Sequence, residues 1–302
     1  MKIQIVVLLL CIVSECIGQD VEIVSKQLNK YQNVRDFCIS REGQEAYFTI
    51  QSPNQDLSQL VVVKNQKWKT PKLLSFCDAY SYLEPFLSDD GKKLYFASNR
   101  PVNKADTISN DFDIWYVERN NINSQWSEPI NLGIQVNSEN DEFYPTVAIN
   151  GNLYFTMDSK SGLGKDDIYF CKWNGKQYSE PILLNNNINS DGYEFNAFIS
   201  SDERFIIYTR YNAKDGFGSG DLYISGKDEN GEWKPAENMG NTINSKYMEY
   251  CPFYDSEKNT LYFTSKRSNL LPKKFKNTKH YLETITGNEN GLSKIYKYKI
   301  KL

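Results

Sequence analysis

Short runs of aromatic and β-branched residues alternate down the whole chain with clusters of Gly, Asn, Asp, Ser and Pro, and the runs return in a fixed order. The stretch PFLSDDGKKLYFASNR at 85–100 has counterparts beginning at Phe37, Pro145, Ala197 and Pro252. A second marker, an aromatic followed by a proline and a short apolar stretch, recurs at Trp68, Trp126, Tyr178 and Trp233, at intervals of 52–58 residues. Between these lies an acid that opens an apolar run, at Asp113, Asp167 and Asp221, with Lys294 as its counterpart in the last copy. Four such runs per period, divided by turn residues, predict a four-stranded antiparallel meander. A series of these units is a β-propeller. Strand A is read at PFLS, B at LYFAS, C at DIWYV and D at W-x-x-P-x-N-L, with DDGKK, NGN, SSDER and SEKN as A-to-B hairpin turns. Helical spacing is not sustained past the leader.

Five copies are visible, and the last lacks its fourth strand, because the chain ends at Leu302 without a W-x-x-P segment. Residues 21–29 can supply that strand. The expectation is an all-β, single propeller of five blades, closed by the N-terminal strand pairing with the last blade so that no edge is left open. A six-bladed ring is the alternative, for which no sixth copy of any marker is found. The pattern P-x-x-S-x-D-G-x-x-L-Y-F-x-S-x-R, followed by D-I-W/Y and W-x-x-P, resembles the WD-like repeat of TolB-type propellers of exported bacterial proteins. That resemblance implies the fold over nearly all of 19–302. It is compatible with several roles, since propellers of this type bind proteins, flank peptidoglycan-binding partners or gate peptidase domains.

Met1 to Gly18 begins with one Lys and continues in an apolar stretch and small residues, the form of a secretory signal peptide with cleavage before Gln19. Cys11 and Cys16 follow Leu10 and Glu15, which does not suit lipoprotein processing. The mature chain is therefore expected to be periplasmic or secreted, a monomer without a transmembrane segment. A net charge of −3 supplies no uniform basic field, so nucleic acid is excluded as a partner. Cys38, Cys77, Cys171 and Cys251 match no metal or redox spacing. They read first as buried thiols, although ring closure would bring the strands of Cys38 and Cys251 together.

The one histidine, His280, falls in an insertion at 268–291 beside Lys273, Lys274, Lys276 and Lys279. A Ser-His-Asp or Cys-His arrangement would have to be built from that loop. The Gly-rich segments at 162–167 and 216–221 match no phosphate-binding motif and are read as B-to-C loops. The carboxylates carry more. Glu142, Glu194 and Glu249 lie three residues before the A-strand marker, and Asp36 and Glu84 one residue before it. Positions two apart on a strand share a side, so all five are expected to project alike and form an acidic ring at one mouth of the channel. They would pair with Arg100, Arg210 and Arg267 or accept backbone N–H bonds between blades; otherwise they would form a cation site or a polar-ligand mouth. The D-to-A connections, the B-to-C loops and the Lys-bearing insertion are expected at that same end.

Two functions fit. The favoured one is a non-enzymatic exported propeller that binds an envelope protein or polysaccharide through this loop-rich face, with no cofactor. The other is a glycoside-active enzyme using carboxylates at the central channel, which would need an acid and a base at a defined separation.

Overall fold

The computed structural model describes residues 20–65, 67–103 and 111–302. The predicted leader lies outside them. Five four-stranded antiparallel sheets form a five-bladed propeller. In chain order the strands of blade 1 are Asn33–Ile39, Glu45–Gln51, Ser58–Lys64 and Lys72–Leu73, and those of blade 2 are Tyr82–Leu87, Lys93–Ser98, Asp113–Glu118 and Ile130–Asn131. Blade 3 has Glu142–Val147, Leu153–Met157, Asp167–Cys171 and Ile182–Leu183; blade 4 has Glu194–Ile199, Phe205–Tyr211, Gly220–Gly226 and Glu237–Asn238. Blade 5 takes Glu249–Asp255, Thr260–Ser265 and Lys294–Lys299 from the C-terminal part of the chain, and Glu22–Ile23 as its outer strand.

That outer strand closes the ring, with Glu22 opposite Lys297 and Ile23 opposite Tyr296. The closure is shorter than the 21–29 expected, because Ser25 caps a 3₁₀ helix at Lys26–Lys30 that buries Leu28. Lys294, where blades 2 to 4 carry Asp, donates from Nζ to the carbonyls of Tyr31 (2.6 Å) and Gln32 (3.1 Å). It thus ties the closing segment to the last blade.

The strand D expected over seven residues is two residues long in each copy, while strand A begins about three residues earlier than read. The second difference has one cause in all five blades: the A–B register shifts between Arg35 and Cys38, Leu83 and Phe86, Phe143 and Thr146, Phe195 and Phe198, and Tyr250 and Phe253. At each bulge one residue turns left-handed: Asp36, Glu84, Tyr144, Asn196 and Cys251, with φ between 52° and 61°. Pro85, Pro145 and Pro252 follow such residues. A proline has no N–H to give a ladder, so it fits where pairing is already interrupted.

The marker aromatics join neighbouring blades. Trp126 meets Tyr47 of blade 1 edge-on at 6.3 Å, and Trp233 meets Tyr154 of blade 3 at 6.5 Å. Trp68 packs in the cluster that holds Tyr262 of blade 5. The four described cysteines are free thiols. Among the described residues there is one α-helix, α1 (Thr278–Ile285), inside the insertion. No helix of the described residues is long and apolar enough to cross a membrane.

Candidate functional site

The five acids do not share a side. Because the bulge adds a residue between the two positions, Glu142, Glu194 and Glu249 occupy the start of strand A, whereas Asp36 and Glu84 occupy the left-handed position two residues further on. The counterparts of Glu142 in blades 1 and 2 are Val34 and Tyr82. In place of one exposed acidic ring there are two separate buried sets, and this corrects the expectation drawn from strand alternation.

The first set is part of the frame. Glu142, Glu194 and Glu249 each accept a backbone N–H and a hydroxyl from the serine four residues earlier, Ser138, Ser190 and Ser245. The asparagine before each serine clamps the preceding blade: Asn137 pairs with N and O of Ile114, Asn189 with those of Ile168 and Asn244 with those of Leu222. The repeated N-S-x-x-x-E spacing is therefore a blade-to-blade clasp, and it is visible in the sequence as NSENDE, NSDGYE and NSKYME. Burial pushes the Glu142 carboxyl up to about 8, against the pull of the two Ser138 hydrogen bonds. Of the arginines expected as partners, Arg210 lies 3.6 Å from Glu194 and Arg267 3.4 Å from Glu249. Arg100 instead lies over the Trp115 ring at 5.0 Å and donates to the Tyr82 hydroxyl.

The second set seals the axis. Asp36, Glu84, Tyr144, Asn196 and Cys251, one from each blade, are all buried. Arg35 bridges the two carboxylates, at 2.5 Å from Asp36 and 2.7 Å from Glu84. The Cys251 thiol donates to Asp36 (2.8 Å), and Asn196 Nδ2 donates to Glu84 (3.3 Å). A small substitution explains why Glu84 is bound so firmly. Threonines on strand B accept from the bulge N–H of the following blade: Thr264 from Asp36, Thr49 from Glu84 and Thr156 from Asn196. Blade 2 has Ala97 at this position, and the orphaned Tyr144 N–H is taken by Glu84 Oε2 at 2.7 Å. Burial raises the Glu84 carboxyl to about 7, with Arg35 opposing and Asp36 adding to the rise. The ligand atoms of Asp36, Glu84 and Cys251 lie within 4.8 Å of one another, a donor set a cation could use. The Arg35 guanidinium already supplies the compensating charge there.

Accessible space lies at the other end of the ring. The A-to-B turns surround a mouth of about 490 Å³, floored by Phe86, Val147, Phe198 and Phe253 and rimmed by Arg41, Asp89, Asp202, Arg204 and Glu257. It runs into a groove of about 1350 Å³ between blades 2 and 3, where Tyr116, Trp126 and Trp173 stand among Lys93, Glu118 and Lys176. Arg41, Ser88, Asp89, Val147 and Ile149 belong to both. Ile149, at the junction, is 71% exposed. The sequence points to the opposite, loop-rich end as the binding face, because each of these turns looks like an ordinary hairpin; only their convergence makes a cavity.

The insertion carrying Lys273, Lys274, Lys276 and His280 does not overhang the axis. It lies along the outer flank of blade 5, where Asn288 bonds Asn29 and a cavity of about 430 Å³ separates it from Val21 and Ile23. His280 sits in α1, with Nδ1 accepting from the Lys276 N–H.

Similarity to solved structures reaches only as far as this architecture. The chain matches TolB from Acinetobacter baumannii at 8% identity and a TM-score of 0.49, over 89% of its own length and 55% of that protein. It matches a TolB-type protein from Agrobacterium tumefaciens at 11% identity and 0.51, over 94% and 99% of the two chains. It matches the α-L-arabinofuranosidase PaAbf62A from Podospora anserina, solved with cellotriose, at 11% and 0.52, over 93% and 94%. The shared feature is the propeller. No family model and no curated protein matches the chain in sequence.

Proposed function

We propose that the protein is a non-enzymatic binding propeller, exported by residues 1–18, that takes an envelope protein or polysaccharide at the mouth formed by its A-to-B turns and in the groove beside it. The observation that carries this reading is the sealed axis. Glycoside hydrolysis uses two accessible carboxyls, roughly 5–5.5 Å apart for retention and 6.5–9.5 Å for inversion. Asp36 and Glu84 share one arginine and are buried, so neither is open to a substrate. The open end, by contrast, offers an apolar floor, aromatic faces and charges of both signs, the mixture that recognition sites use.

The test is a panel of envelope polysaccharides and purified envelope proteins, read for binding and for release of reducing ends. Ile149→Asp combined with Arg41→Glu should lower affinity at least tenfold with unchanged melting, since both side chains are exposed. Reducing-end release that disappears in Glu84→Gln would establish the enzymatic alternative instead.

A further inference from the structure

The insertion in blade 5 is built to present residues, not to bury them. Its base is fixed by the Ser268–Asn290 bridge and by two hydrogen bonds between Asn269 and Glu289. Asn277 caps α1 by accepting from the His280 N–H, and the Phe275 ring holds the arm to the helix through His280 and Tyr281. Yet α1 buries none of its residues. Leu271, Tyr281 and Leu282 are 72%, 44% and 50% exposed, in a protein with no need to spend an eight-residue helix on its own core.

The charge around these apolar tips is one-sided. From Leu271 to Leu282 the chain carries four lysines and no acid, although the protein as a whole is net −3. Lys279 reaches Glu283 at 3.9 Å, both largely exposed. Lys273 leans over the Phe275 ring at 5.6 Å. Exposed apolar residues interleaved with lysines suit a surface that is anionic outside and apolar just beneath, which is the interface of an acidic bilayer. An acidic protein or polymer would match the lysines but leave the three apolar tips in water.

We infer that residues 271–282 dock the protein on anionic membrane, the lysines meeting lipid phosphates while Leu271, Tyr281 and Leu282 enter the headgroup layer. This is independent of the ligand mouth, which lies at the end of the ring bearing the A-to-B turns.

The mature chain would be floated with vesicles of phosphatidylcholine containing about one third phosphatidylglycerol, and with vesicles of phosphatidylcholine alone. The expected result is partitioning to the acidic vesicles only, weakened by high salt. It should fall at least tenfold in Lys273→Glu/Lys274→Glu/Lys276→Glu, and likewise in Leu271→Ser/Leu282→Ser. Neither variant should change the melting temperature, because the altered side chains are exposed. Equal recovery with both vesicle types, or variants that partition like the parent, would overturn the inference. So would retention on an immobilised acidic polysaccharide without vesicle binding, which would assign the lysines to a polymer.

Discussion

Replacing Arg35 by Met removes the guanidinium that pairs with both Asp36 and Glu84 on the axis. The guanidinium makes two charge-assisted hydrogen bonds, at 2.5 and 2.7 Å, from a side chain only 14% exposed. Removing one partner of a buried ion pair costs about 3–5 kcal/mol, because the remaining charge is left without compensation. Here two carboxylates remain, and the one relief open to them is for Glu84 to take a proton. Its folded value, about 7, already lies above that of an unfolded glutamate, so without Arg35 it rises further. The cost should therefore depend on pH: the full 3–5 kcal/mol at pH 8, and clearly less at pH 5, where the proton is bound in either protein. At roughly 2–4 °C per kcal/mol for a domain approaching this size, Tm at pH 8 should fall by roughly 6–20 °C. Urea denaturation of parent and variant at the two pH values measures it directly. Arg35→Met/Glu84→Gln should recover most of the loss, since the amide can still accept from the Tyr144 N–H. Stability equal to the parent at pH 8, or a deficit of the same size at pH 5, would refute the electrostatic account of the axis.

Glu142 gives a second pH test: its carboxyl is raised by burial to about 8, so the native state holds a proton that the unfolded chain has released. Stability should fall as pH rises from about 4.5 to 8, and Glu142→Gln should flatten that part of the Tm–pH curve. Ring closure gives a third. A chain beginning at residue 31 loses buried Leu28 and leaves Lys294–Lys299 as an open edge, so it should lose at least the roughly 2–5 kcal/mol of a buried leucine and aggregate. Melting at the parent's temperature without aggregation would show that the closing strand is dispensable.

Fold, blade number and ring closure were legible in the chain because they are written in local terms. An aromatic run pairs with the next run, a turn residue ends it, and the period repeats five times. Much of the frame was legible too, in the N-S-x-x-x-E spacing that clasps one blade to the next. What the sequence could not show was where strand alternation breaks. The left-handed residue in each strand A separates Asp36 and Glu84 from Glu142, Glu194 and Glu249. That single local change turns an expected acidic mouth into a sealed axis and a set of structural caps. Nor could it show that Ala97, by failing to cap one backbone N–H, draws Glu84 into the frame. The accessible mouth and groove were hidden for a related reason: Arg41, Asp89, Ile149, Arg204 and Glu257 come from five separate hairpins. Nothing local links them, and only the closing of the ring, which converts distance along the chain into contact around an axis, brings them to one place.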